Sequence, residues 1–231
     1  MKVKNKFAVL YTCHNKTAQL NLAKEFFNRS EYLINNFDVI VTSNSIYDKD
    51  SINKITNQFD CKRKQAFFDE KNDGGYLLGV IEQVCNVYKN LTDYELVLHV
   101  HPDVYIVSDH AIREIFSKPE KKDFYVFPMH PTFGLPNGQI REKEYAADAW
   151  IIKPKDGNNI FKHWKTYKDD PSLRSSQRPA YAERYLYDNI NKLECDIGFF
   201  DRNPHAGQSY SYERNSGLWQ SDNIEQLKWA L

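Results

Sequence analysis

In the stretch YELVLHVHPDVYIV, residues 94 to 107, His99, His101 and Asp103 fall at every second position. The apolar run predicts a buried strand, and alternation along it puts His99 and His101 on one face. Imidazole plus carboxylate at this spacing suits Mn²⁺, Zn²⁺ or Fe²⁺, and Mg²⁺ less, because Mg²⁺ prefers oxygen. Pro102 has no N–H, so it should end the strand ladder and let Asp103 turn toward solvent or a ligand. An acid at the end of a buried strand is costly unless paired, which favours a functional role for Asp103. His99 lies deeper in the run, where a hydrogen-bonded core histidine is the preferred reading.

Two other apolar runs end in polar residues. FAVLYT (7–12) leads into Thr12 to Asn15, and FDVIVTSNS (37–45) contains Thr42 to Asn44. In open α/β sheets, loops and helix starts converge at the carboxyl ends of parallel strands, so these residues share candidacy with His101 and Asp103. Asp73-Gly74-Gly75 opens a predicted helix, where free N–H groups and close backbone approach favour an anion such as a phosphate. No G-x-G-x-x-G follows the first strand and no G-x-x-x-x-G-K-[ST] occurs, which argues against dinucleotide binding and P-loop chemistry.

The elements that must position these residues follow from periodicity. Leu20, Leu22, Ala23, Phe26 and Phe27 share a helical face between the first two strands, giving a strand-helix-strand unit with a parallel crossover. A helix is expected over 73–91, then the strand 94–107, a short helix over 108–116 and a strand over 123–128. A strand near 146–154, helices near 157–168 and 180–192, and a strand at 197–202 complete the order. This predicts a single α/β domain, residues 1–231, with a mainly parallel mixed sheet flanked by helices. Residues 130–145 and 168–179 read as long loops, and loops of that length inside a compact domain tend to be lids or binding loops.

Composition narrows the function classes. Lys plus Arg and Asp plus Glu each number 31 in 231 residues, a formal net charge of zero. That balance argues against a general nucleic-acid binder. The apolar run near the start is only about five residues long, too short for a signal-peptide core. No stretch approaches the ~18 apolar residues of a membrane span. Peripheral membrane contact stays open. Cys13, Cys61, Cys85 and Cys195 are far apart with no C-x-x-C, as expected for reduced thiols in a cytoplasmic protein.

With its polar-ended first strand, its helix beginning near a glycine and ELVLHVHPDVYI at the third strand, the chain resembles a small GT-A-type glycosyltransferase. Short enzymes of this class occur in large algal viruses and bacterial surface-polysaccharide clusters. His101-Pro102-Asp103 stands where that family carries Asp-x-Asp, so only Asp103 matches as an acid. The resemblance implies a Rossmann-like GT-A fold, with a nucleotide-sugar half over about 1–108 and an acceptor half over about 109–231. It implies hexosyl or deoxyhexosyl transfer from a nucleoside-diphosphate sugar to a glycan or lipid-linked glycan in polysaccharide biosynthesis. It further implies a divalent ion, Mn²⁺ or Mg²⁺, held by Asp103 with His101 and with His205 as a late contact. Thr12, His14, Ser43 and Asn44 would touch base and ribose, with Gly74 near the nucleotide.

An inverting member needs a carboxylate to take the acceptor proton. Glu183, at a helix start after the polar loop, and Asp148, at a strand entrance, are the two candidates. First-turn dipole complementarity explains Glu183 equally well. Trp150, Trp164 and Trp219 could stack on a sugar, though burial is the commoner use of tryptophan. The rival readings are a metal-dependent hydrolase built on His99, His101 and Asp103, and a non-catalytic nucleotide-sugar-binding module.

Overall fold

The structure, a computed structural model, describes residues 5–44, 48–129, 144–169, 182–193, 195–199 and 217–220. Strand β1 (Phe7–Cys13) is buried almost throughout because it lies inside the sheet, covered on both faces. Its side chains part by alternation: Val9, Tyr11 and Cys13 enter one core layer, Ala8 and Leu10 the other. Helix α1 (Thr17–Asn28) buries Leu20, Leu22, Ala23, Phe26 and Phe27, the face its periodicity predicts. A short helix α2 (Glu31–Asn36) follows, capped by Ser30, whose Oγ accepts from the Leu33 N–H at 3.1 Å. The chain then returns as β2 (Phe37–Ser43), parallel to β1 and buried along its whole length.

Helix α3 (Lys49–Thr56) and strand β3 (Lys64–Phe68) were not expected from the sequence. β3 is an edge strand, half-buried at every residue, so its sequence KQAFF carries no apolar run to reveal it. Helix α4 (Gly75–Val87) and a 3₁₀ turn at Tyr88–Asn90 lead to β4 (Leu96–Val100), which pairs parallel to β1 on the side away from β2.

The expected single strand over 94–107 is in fact two. Pro102 cannot donate to a ladder, and the His101 N–H bonds to the Asp148 carbonyl at 2.8 Å. The chain turns, and β5 (Val104–Ile106) leaves the main sheet to pair with β9 (Leu218–Gln220). After α5 (His110–Ser117) come β6 (Phe124–Met129) and β7 (Glu144–Ile152), then α6 (Pro154–Phe161) and α7 (Trp164–Asp169) where one helix was expected. Helix α8 (Ala182–Lys192) and β8 (Ile197–Phe199) complete the order.

The main sheet runs β3-β2-β1-β4-β7-β6-β8, and β7 alone opposes the other strands. One sheet therefore joins strands from both sides of position 108. Helices α1, α2, α3 and α5 cover one face, with Phe27, Phe37, Phe59 and Phe116 fully buried. Helices α4, α6, α7 and α8 cover the other, around Ile81, Trp150, Phe161 and Tyr185. Each such side chain contributes about 1.5–3 kcal/mol through apolar area removed from water. The result is a rigid platform whose carboxyl rim carries the polar strand ends.

Candidate functional site

Strand β1 is flanked by β2 on one side and β4 on the other, so the connections leaving β1 and β4 diverge. A crevice at the carboxyl ends of such strands is the usual ligand position of an open α/β sheet. At the end of β1 the chain passes through Asn15, whose φ of 50° lies in the left-handed region that asparagine tolerates. Lys16 then sits at the N-cap of α1. Its Nζ lies 2.7 Å from Asp103 Oδ2, across the gap between the β1 and β4 rims. The carboxylate is almost completely buried while the lysine side chain keeps 34% of its surface exposed. Asp103 Oδ1 is buried without a hydrogen-bond partner among the described residues.

The two histidines of the motif take other partners. Thr12 Oγ1 and His99 Nε2 are 2.8 Å apart, and the His99 ring stacks on Trp150 at 3.6 Å between centroids. Both residues are fully buried, so His99 is a core histidine and Thr12 turns its hydroxyl inward to it. His101 is half-buried, with Nδ1 at 3.2 Å from Asp148 Oδ1. The backbone of Asp148 also receives the His101 N–H, so this residue grips the histidine twice.

Burial, and secondarily the charge of His101, hold the His99 pKa well below its ordinary 6.5. Burial also opposes charging of His101, but the hydrogen bond and charge of Asp148, aided by Asp103, outweigh it and raise that pKa. The signs follow by linkage. Neutral His99 contributes stability that is lost as pH falls through 6.5, where the unfolded chain takes up the proton. Protonated His101 contributes stability that is fully present below 6.5 and lost as pH rises through its raised value. Urea midpoints measured against pH should therefore fall less on the acid side in His99→Phe, and less above neutrality in His101→Gln. Parallel curves for wild type and both variants would contradict these environments.

At the ends of β1 and β2, His14 Nδ1 donates to Asn44 Oδ1 at 2.6 Å; His14 is exposed while Asn44 and Ser43 are buried. A Cβ at Gly79 would lie 3.2 Å from Asn72 Oδ1 and 3.6 Å from Asn44 Nδ2, so the absence of a side chain there lets α4 pack against both amides. Gly75 has φ 57°, and a Cβ at Gly74 would meet the Leu78 carbonyl carbon at 2.7 Å, so the turn into α4 depends on both glycines. The amino end of α4 is already closed. Buried Glu82 accepts from the Gly74 N–H at 2.7 Å and the Asp73 N–H at 3.3 Å. The anion expected at this helix start is thus supplied by the chain itself, and the Gly74 N–H is taken.

Glu183 stands half-buried in the first turn of α8, which packs against β7, the strand that carries Asp148. Trp150 and Trp164 are core residues. The side chain of Trp219, His205, and most of the predicted loops 130–145 and 168–179 lie outside the described residues, while 144–145 belong to β7 and 168–169 to α7 rather than to loops. Lys16, Glu82, Asn72 and Gly79 escaped the sequence reading. Two of them left signals: a cation at a helix N-terminus opposes the helix dipole, and Glu82 interrupts an apolar helical face. A separate cleft of about 640 Å³ lies at the amino edge of the sheet, near Lys6, Glu95 and Lys121. Three of its lysines pair with carboxylates, Lys121 and Lys6 with Glu95 at 2.5 and 3.7 Å and Lys153 with Asp123 at 3.0 Å.

The divalent cation that the resemblance implies does not fit the described residues. Asp103 offers one oxygen already on an ammonium and one sealed from solvent, and His101 Nδ1 faces Asp148. No group of three His, Cys, Asp or Glu side chains able to hold a metal occurs among the described residues. The same geometry removes the support for a hydrolase centre on His99, His101 and Asp103.

The fold is the mixed, Rossmann-like α/β architecture of GT-A-type glycosyltransferases, which certain nucleotidyltransferases share. The chain superposes on the galactosyltransferase LgtC, solved with donor and acceptor sugar analogues, with TM-score 0.57 and 12% identity over 94% of this chain and 87% of that one. It superposes on 4-diphosphocytidyl-2C-methyl-D-erythritol synthase from Anaerococcus prevotii DSM 20548 with TM-score 0.59 and 10% identity, covering 98% and 94%. The glycosyltransferase GlyE of Streptococcus pneumoniae TIGR4 gives TM-score 0.52 and 13% identity, covering 86% of this chain and 46% of that one. No protein-family model matches the chain, and no curated protein matches it in sequence.

Proposed function

We propose that this chain is a cytoplasmic glycosyltransferase that moves a hexosyl or deoxyhexosyl group from a nucleoside-diphosphate donor to a hydroxyl of a glycan or lipid-linked glycan. One observation carries the reading: in a GT-A-type fold, the polar ends of β1 and β4 meet at the switch point through Lys16 and Asp103. In this reading His14, Ser43 and Asn44 receive the nucleoside, and Thr12 positions the end of β1 through His99. The diphosphate lies over the Lys16 and Asp103 turn. His101, oriented by Asp148, lies beside it, and Glu183 takes the acceptor proton. The acceptor oxygen forms its bond to the sugar C1 as the C1–O bond to the diphosphate breaks, and that electron pair leaves with the nucleoside diphosphate.

The synthase likeness favours a second reading, nucleotidyl transfer, in which a substrate phosphate attacks the α-phosphate of a nucleoside triphosphate. The products separate the two. Incubation with a panel of nucleotide sugars and acceptor glycans should release a nucleoside diphosphate. Incubation with nucleoside triphosphates and sugar phosphates should release no pyrophosphate. Pyrophosphate release without nucleoside diphosphate release would establish the second reading. In thermal melts with UDP, GDP, CMP and TDP, one diphosphate should raise the midpoint, because a ligand that binds only the folded state stabilises it. No shift with any of them would remove the nucleotide-sugar reading.

A further inference from the structure

We propose that the positive charge receiving the donor diphosphate is the ammonium of Lys16, anchored by Asp103, and that nucleotide binding at this site needs no divalent cation. The inference rests on the nucleotide-sugar reading above and adds the means by which the diphosphate is held.

The pair is polarised. Asp103 keeps 3% of its side-chain surface and Lys16 34%, so the acid lies inside and the ammonium toward the rim. An anion approaching the crevice meets the cation first. The helix end adds partial positive charge beside the ammonium. Lys16 is the N-cap of a twelve-residue helix with no acidic residue in its first turn and no side-chain cap. The first-turn N–H groups of α1 have no partner within the helix, and its dipole adds to the ammonium charge. A cation at a helix N-terminus is locally unfavourable, and the buried carboxylate at 2.7 Å offsets that cost. Such an arrangement is consistent with a site shaped for an anionic ligand. It also stands at the β1 and β4 switch point, where a ligand of this sheet is expected.

A divalent ion at Asp103 would have to displace the ammonium and would find one accessible carboxylate oxygen, where Mn²⁺ and Mg²⁺ take about six ligands. As the sugar C1–O bond breaks, the Lys16 N–H groups donate to the oxygen that keeps the electron pair, so that oxygen needs no proton from a general acid.

Titration calorimetry with UDP, GDP, CDP and TDP, each in EDTA and in Mn²⁺, tests this. One nucleoside diphosphate should bind in EDTA with a Kd within about threefold of its value in Mn²⁺. Lys16→Met should weaken that binding by about 30-fold, the scale of a lost charged hydrogen bond, and Lys16→Arg should retain most of it. Because Lys16→Met leaves a buried acid unpaired, the double variant Lys16→Met/Asp103→Asn serves as the folded control and should lack binding equally. Binding that requires Mn²⁺ and survives in Lys16→Met would overturn the inference and leave the transferase reading standing. Failure of every nucleotide to bind in either buffer would overturn both.

Discussion

Trp150→Ala is expected to lower stability by about 3–5 kcal/mol, the usual cost of truncating a fully buried large aromatic. For a chain of this size that is a fall of roughly 6–20 °C in the melting midpoint. Trp150 is wholly buried in β7, stacked on His99 at 3.6 Å and 6.2 Å from the Phe161 ring. Its indole N–H has no hydrogen-bond partner among the described residues, so the side chain is held there by packing. Trp150→Phe keeps a ring in the stack and deletes the orphaned donor, and should cost only about 1–3 kcal/mol. Thermal and urea melts of both variants check the order. If Trp150→Ala melts within about 2 °C of wild type and instead raises the acceptor KM, the residue is a sugar platform and the buried-core account is wrong.

Glu183→Gln is expected to lower kcat by about 10²–10⁴-fold, the range associated with a lost general base, while the donor Kd stays unchanged. The amide keeps the shape of the side chain in the first turn of α8 and removes only its charge and basicity. The purely structural alternative predicts something different. Loss of a first-turn acid weakens a helix by about 0.3–1 kcal/mol, visible in the melt and absent from kcat. Turnover measured at saturating donor and acceptor therefore distinguishes the two. Unchanged turnover in Glu183→Gln, with a collapse in Asp148→Asn, would move proton acceptance to Asp148. In that case the pairing of Asp148 with His101 at 3.2 Å would be part of the chemistry as well as of the positioning.

How much of this was legible before the tertiary structure varies by element. α1 and α4 were readable because their apolar positions repeat at the helical period, and β1, β2 and β4 because strands buried on both faces read as continuous apolar runs. β3 was not, because an edge strand covered incompletely has no need of an apolar run. α3 was missed for a related reason: of its eight residues only Ile52 and Thr56 are buried, too few to display a period. In the site, Asp103 was legible as an acid that must be paired, but its partner was not. Lys16 lies 87 positions away and comes into range only because β1 and β4 are neighbours in the sheet.

The chain's own order of residues determined the two-faced apolar strands, the helix between the first two of them, the break at Pro102 and the polar strand ends. These are local consequences of side-chain period and of a missing N–H. The core place of His99 was legible, but only the tertiary structure decided the partners of the metal-competent trio, with His99 on Trp150, His101 on Asp148 and Asp103 on Lys16. Alternation sets which face of a strand a side chain takes, whereas its partner depends on which distant strand and helix the sheet order brings beside it.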